Sequence, residues 1–210
     1  MKFARGVIRR LGLLPALALA LAAAPPAPDP AAAGRVVDPD HFDHELLARE
    51  IFLATNAIRV TEGVVPLKPE PRLTAAANGQ AAMLSIRIHG GHDNPLASQG
   101  APSERVAQAG LPAGLVTENA ATLNPRNPET GRNYTYRELA AVIVQAWMDS
   151  PGHRANLLNP ALHFLGCGTR VAYLLPGQAA VYSIQDFYTP APRVEPAPPG
   201  IRPGAASLTR

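Results

Sequence analysis

The sequence predicts an α+β fold in which helices come first and an antiparallel strand pair comes last. Two observations carry this. Apolar residues recur at three- and four-residue spacing through the first part of the central region, and alternation of period two appears only from Leu165 onward. Strands and helices therefore do not alternate along the chain as a doubly wound parallel sheet requires.

Taken in order, Asp40 or Asp43 caps a first helix running to about Val60, with Leu47, Ile51, Ala54 and Ile58 on its apolar stripe. Pro66, Pro69 and Pro71 break the chain. A second helix places Leu73, Ala77, Ala81, Leu84 and Ile88 on one face. Residues 103–109 make a short third helix, ended by Gly110. Thr135-Tyr136-Arg137-Glu138 is a capping box that opens a fourth, in which Leu139, Ile143 and either Ala146 or Trp147 point inward. Ser150-Pro151 stops that helix and caps a further short turn, proline suiting its first position. Leu165, Cys167, Thr169, Val171 and Tyr173 then alternate, as do Tyr182, Ile184 and Tyr188, with Pro176-Gly177 turning the chain between the two runs.

The ends are different in kind. Residues 1–10 are basic, residues 11–24 are an apolar run, and small residues follow, which is the three-part pattern of an export signal ending somewhere between residues 20 and 33. The run is shorter than the roughly 20 residues that span a bilayer, so no transmembrane segment is expected in the mature protein. Residues 34–39 read as a linker, 40–188 as one domain, and 189–210 as a proline-rich disordered tail. Of 23 prolines, 12 lie outside residues 40–188, and their crowding at the ends supports that division.

Charge and cysteine content exclude several classes. Beyond residue 33 the chain carries 15 basic and 15 acidic residues. A neutral surface with few aromatics offers no footprint for nucleic acid. A single cysteine, Cys167, rules out an internal disulfide and any multi-cysteine metal site. Its alternation with Leu165 and Val171 places it as a buried, unreactive strand thiol.

Four stretches carry residues a core does not need. In Ile88-His89-Gly90-Gly91-His92-Asp93-Asn94-Pro95 two imidazoles sit on a glycine-rich turn, readable as a metal chelate or as a solvated loop. Thr117-Glu118-Asn119-Ala120 reads by composition as an Asx-type turn with a surface Glu118. In Trp147-Met148-Asp149-Ser150-Pro151-Gly152-His153 the first turn of a short helix holds His153. There the helix dipole favours a neutral ring able to ligate a metal or accept a proton. His41 and His44, one turn apart at the start of the first helix, are expected to be solvated.

In sequence order, these segments join Asn56-Ala57-Ile58-Arg59, Val65-Pro66-Leu67, Glu104-Arg105-Val106, Ala109-Gly110, Glu118-Asn119-Ala120, Ser150-Pro151-Gly152-His153-Arg154-Ala155-Asn156 and Leu165-Gly166-Cys167-Gly168. Together they resemble the superfamily of cysteine-rich secretory proteins, antigen 5 and pathogenesis-related proteins (CAP), in particular its compact SCP-like bacterial exported members. The resemblance implies a three-layer α-β-α sandwich with a central antiparallel sheet. It also implies a cleft where two histidines and two acids meet, onto which His92, Glu118 and His153 carry over. The second acid has no clean match: Ser150 stands near its place and Asp149 beside it. Asn119, Trp147 and Ser150 belong to the motif as structural residues.

Two imidazoles and a carboxylate suit Zn²⁺ or a similar divalent ion. The resemblance accordingly implies an exported, secreted or periplasmic binding module, whose cleft takes a divalent ion or a small molecule, lipid or envelope ligand. No general catalytic activity is established for that superfamily. A metal-dependent hydrolase, with His92 and His153 as ligands and Glu118 as general base, is the alternative. A serine hydrolase built on Ser150 and His153 lacks an orienting acid and a Gly-x-Ser-x-Gly turn. A purely structural or adhesive role is the fourth reading.

Overall fold

The computed structural model describes residues 31–87, 91–92, 94–96 and 99–192. The expected export signal up to residue 30, Ile88, His89, Gly90, Asp93 and the tail from residue 193 lie outside the described residues.

Among the described residues, five α-helices and four strands follow in the order α1 (His44–Thr61), β1 (Lys68–Pro69), α2 (Pro71–Arg87), α3 (Pro102–Gln108), β2 (Gly114–Leu123), α4 (Tyr136–Asp149), α5 (Pro151–Leu157), β3 (Phe164–Leu175) and β4 (Gln178–Pro190). The caps are those the side chains dictate. Asp43, not Asp40, accepts the Leu46 N–H at the start of α1, and Thr135 with Glu138 closes the capping box of α4. Of the two candidates for the inner face of α4, Trp147 is buried and Ala146 is exposed.

The strands form one sheet in the order β1-β3-β4-β2. The three long strands pair antiparallel as expected, but the two-residue β1 pairs parallel with β3, which makes the sheet mixed. Alternate residues of the sheet serve two helical layers. Leu165, Cys167, Val181 and Phe187 pack with α1, α4 and α5 around Leu47, Ile51, Leu139, Ile143 and Trp147. On the other face Ala180, Tyr182 and Ile184 meet Ala77, Ala81 and Leu84 of α2, while Tyr188 meets Leu73 and Val106 of α2 and α3. This is the three-layer α-β-α sandwich.

Gly166 and Gly168 explain how closely the second layer sits. A Cβ on either would lie 2.2–2.3 Å from the α2 backbone at Leu73 or Ala77. Glycine lets helix and strand touch main chain to main chain.

Three expectations change. The stretch read as a turn with a surface Glu118 is strand β2, and Glu118 is buried. Residues 34–39 are not a free linker: Val37 is 1% exposed, its N–H donates to the Tyr134 carbonyl (2.8 Å), and Val36 pairs with Thr135. His44 is half-buried rather than solvated, its ring against Phe42, whereas His41 is exposed and held by Asp38 (2.9 Å). Among the described residues no helix is long and apolar enough to cross a membrane.

Candidate functional site

The edge strand β2 is where the two helical layers meet. Its side chains alternate between them: Glu118 faces the α2–α3 side, as do Val116 and Ala120, while Asn119 lies opposite Gln185 on the other. The loop after α2 brings His92 to Glu118 from one side. The short helix α5 brings His153 to Asn119 from the other.

Each histidine is held differently. The Nδ1 of His92 lies 2.8 Å from Glu118 Oε1, while the ring remains 46% exposed. Arg105 on α3 forms a very short ion pair with Glu118 Oε2. The same guanidinium donates to the carbonyls of Gln99 (2.8 Å), Gly100 (3.1 Å) and His92 (3.2 Å), pinning the loop that carries His92. Gln80 adds a bond to the His92 carbonyl (3.3 Å) and takes one from Asn94 (3.1 Å).

His153 is placed through its backbone. Asn119 Nδ2 donates to the His153 carbonyl (3.2 Å). Asn156, one turn further on, donates to Asn119 Oδ1 (2.9 Å) and to the Glu118 carbonyl (3.2 Å). Asn119 is itself tied to Gln185 (3.3 Å) and Gln185 to Thr55 (2.6 Å). A polar chain thus runs from α1 through the sheet to α5. Buried side-chain networks of this kind fix one geometry only when every member is satisfied.

The outcome is two neighbouring imidazoles, ring centroids 6.2 Å apart and tilted by 54°. Burial holds His153 below the ordinary imidazole range and the neighbouring His92 adds to it. The shift favours the neutral ring, as the helix dipole was expected to, with desolvation as its leading cause.

Of the other expected residues, Trp147 is core. Asp149 is exposed and bound by Gln145 (2.8 Å), so it does not supply the missing acid. Ser150 stands at the junction of α4 and α5, makes no side-chain cap, and has no hydrogen bond to His153. Cys167 is buried, and desolvation raises its thiol far above the usual range.

Glu118 differs most from expectation. Its side chain is 1% exposed and both oxygens are occupied, one by His92 and one by Arg105. A general base needs a free oxygen within reach of water, and Glu118 has neither; this geometry gives the metal-hydrolase reading no support. Nor does any group of three or more His, Cys, Asp or Glu among the described residues form a ready ion cage. What the donor set does fit is a two-imidazole site in which Glu118 orients His92 from behind, the carboxylate–histidine arrangement common beside metals.

Two residues escaped the sequence reading. Arg105 was visible only as part of a motif. Asp186 is fully buried directly opposite Glu118 in the β2–β4 register.

A three-layer sandwich with a histidine pair across its sheet edge defines a class, and comparison with known proteins names it. The family model described as the cysteine-rich secretory protein family, CAP, matches residues 52–185, and the chain belongs to that family. It is 28% identical over 120 residues to the uncharacterized protein YkwD of Bacillus subtilis, covering 57% of this chain and 41% of that one. An extracellular protein containing an SCP domain from Bacillus anthracis is 25% identical, with a TM-score of 0.54 over 72% of this chain and 44% of that one. An outer surface protein of Borrelia burgdorferi, 16% identical, shares the fold over 75% of this chain and 99% of its own, with a TM-score of 0.51. The chain thus spans about two fifths of the curated relative's length.

Proposed function

We propose that this chain is an exported CAP-domain binding module of the cell envelope, and that His92 and His153 hold a divalent ion such as Zn²⁺. The single observation that carries the ion is the neighbouring pair of imidazoles, one oriented by the Glu118–Arg105 ion pair and the other shifted by burial below the ordinary imidazole range. The basic, apolar and small-residue pattern of residues 1–33 supports export, as do the extracellular and outer-surface relatives. Bound there, the ion offers a Lewis-acid centre to a ligand entering the cleft. His92 and His153 supply the protein donors, and Glu118 keeps the His92 ring in place.

Calorimetric zinc titration of the metal-stripped protein tests this. One ion is expected to bind to the parent, and His92→Ala or His153→Ala is expected to abolish it while the fold persists. Undiminished binding in either variant refutes the pair as the site. Because ligation requires neutral imidazole, binding is also expected to weaken as pH falls through the histidine range.

A separate observation favours a second ligand. A cavity of about 1140 Å³ lies along the edge of β3 between α1 and α2, with Phe42, Phe52 and Leu165 in its walls and Arg35, Asp43, Glu45, Arg49 and Arg170 around them. Apolar walls with charged groups of both signs at the rim suit a small amphipathic molecule such as a fatty acid. Displacement of a fluorescent fatty acid, abolished by Phe52→Asp but not by His92→Ala, is the expected result. Loss with His92→Ala would place the lipid in the histidine cleft instead.

A further inference from the structure

Away from the histidines, β2 and α4 are joined by residues 124–135, roughly twice the usual length of such a connection. The loop is closely bonded to itself. Asn127 N–H donates to the Arg132 carbonyl (2.8 Å), Gly131 N–H to that of Asn127 (2.9 Å) and Tyr134 N–H to that of Pro125 (2.9 Å), while Arg126 and Asn133 pair as an isolated bridge. Leu123 and Tyr134, at either end, rest on the main core. Between loop and helix lies a cavity of about 580 Å³, with Leu123, Pro128, Tyr134 and Val142 in its walls, a size ordinary for a small-molecule site. Its polar lining is one-sided. Asn124 Oδ1 accepts the Arg126 N–H (2.8 Å), and Asn127 Oδ1 accepts those of Glu129 (2.8 Å) and Thr130 (3.2 Å). These bonds fix which end of each carboxamide is oxygen, so what each has left to offer is its Nδ2 donor. Arg126 adds a guanidinium, which only donates. A Cβ at Gly131 would stand 3.5 Å from Arg126 Nη2, so the guanidinium lies across that glycine, itself part of the lining. Apart from the Tyr134 hydroxyl, which can act either way, the side-chain polar groups are donors, and among the described residues lining the cavity there is no Asp or Glu.

We propose that this cavity binds the carboxylate end of an N-acylated hydrophobic amino acid. The planar fork of Arg126 matches a carboxylate. Leu123, Pro128, Tyr134 and Val142 suit an apolar side chain, and the carboxamide donors of Asn124 and Asn127 suit the acyl oxygen. A free amino acid fits less well, because its ammonium would meet a guanidinium and carboxamide donors with no carboxylate in the walls to receive it. The loop is held by its own bonds before any ligand arrives, so little of the binding energy goes into ordering it. The same chemistry is carried by a free acyl amino acid and by the C-terminus of a peptide. Neither source involves the two histidines or the cavity beside β3.

The test records ¹⁵N spectra of the full metal-stripped chain at neutral pH during addition of N-acetyl-leucine, its C-terminal amide, free leucine or acetyl-glycyl-glycyl-leucine. N-acetyl-leucine is expected to shift the Gly131 amide and the side-chain amides of Asn124 and Asn127, saturating in the millimolar range that suits so small a ligand. The amide and free leucine are expected to bind roughly tenfold more weakly, the worth of one hydrogen bond to a charged group. Arg126 is exposed, so Arg126→Ala spares the fold; it should weaken N-acetyl-leucine by a similar factor and leave the amide where it was. Tighter binding of the tripeptide assigns the site to peptide ends, and weaker binding assigns it to free acyl amino acids. An absence of shifts, shifts that miss the loop, an amide that binds as well as the acid, or an Arg126→Ala chain that binds like the parent overturns the proposal. Because no metal takes part, a failed zinc titration leaves these readouts standing.

Discussion

Residue by residue, the site shows how strand alternation can hide chemistry. Asp186 sits two positions from Ile184 and two from Tyr188, both of which point into the α2–α3 layer. The alternation that identifies those two as core therefore marks Asp186 as a carboxyl inside the core, a signal present in the sequence. Its partner was not legible: Glu118 becomes buried only because β2 pairs with β4. The buried acid has a consequence for stability, with a sign opposite to that of a salt-bridged carboxylate. Its value in the folded state is raised, so the folded chain retains a proton that the unfolded chain releases near pH 4. The contribution of Asp186 is thus greatest below that range and declines as pH climbs toward the folded value. Thermal melts from pH 4 to pH 8 are expected to show Asp186→Asn gaining on the parent as pH rises. A gap that is constant or shrinks would show that Asp186 ionises in the fold as readily as in the open chain.

At the level of elements, helices were the easy part, because α1 and α4 carry their own period and their own caps. The stripe Leu47, Ile51, Ala54, Ile58 and the box Thr135–Glu138 need no partner to be read, and α1 and α4 lie where they predict. Strand β2 had no such signature. On one face Thr117 and Asn119 precede Ala121, and on the other Glu118 stands between Val116 and Ala120, so polar residues fall on both sides. Long-range pairing, absent from any local window, makes it a strand. A similar dependence governs α2, whose approach to β3 requires two glycines that look unremarkable in the sequence. Gly166→Ala would drive a methyl into the backbone of Leu73 and Thr74, and Gly168→Ala into that of Ala77 and Asn78. Backbone cannot rotate away as a side chain can, so each change is expected to cost about 3 kcal/mol, the upper part of the overpacking range. Urea unfolding should show it as a lower midpoint, whereas Gly152→Ala, with open space at its Cβ, should be close to neutral.

For the molecule as a whole, the layer that presents His153 is closed by a segment most of which composition assigned to a linker. Residues 31–38 cross the starts of both α1 and α4. Arg35 pairs with Asp43, the cap of α1 (2.6 Å), and its carbonyl accepts the Tyr136 N–H at the start of α4 (3.1 Å). Val37 is buried between them and bonded to Tyr134, and Asn133 donates to its carbonyl (2.9 Å). Alanine and proline content suggested a spacer, but burial of two small apolar side chains and four hydrogen bonds makes the segment part of the sandwich. Burying Val37 contributes about 2 kcal/mol, and each hydrogen bond about 1 kcal/mol before the ordering of the segment is subtracted. A chain that starts at residue 39 is therefore expected to be about 3 kcal/mol less stable than one that starts at residue 31, a fall in Tm of roughly 6–12 °C for a domain of this size. The loss should reach the site, because α4 leads into α5 through Ser150 and α5 positions His153. Calorimetric melts of the two chains measure the first effect, and zinc titration of the shorter one below its Tm measures the second. Equal melting temperatures would return residues 31–38 to the role of linker.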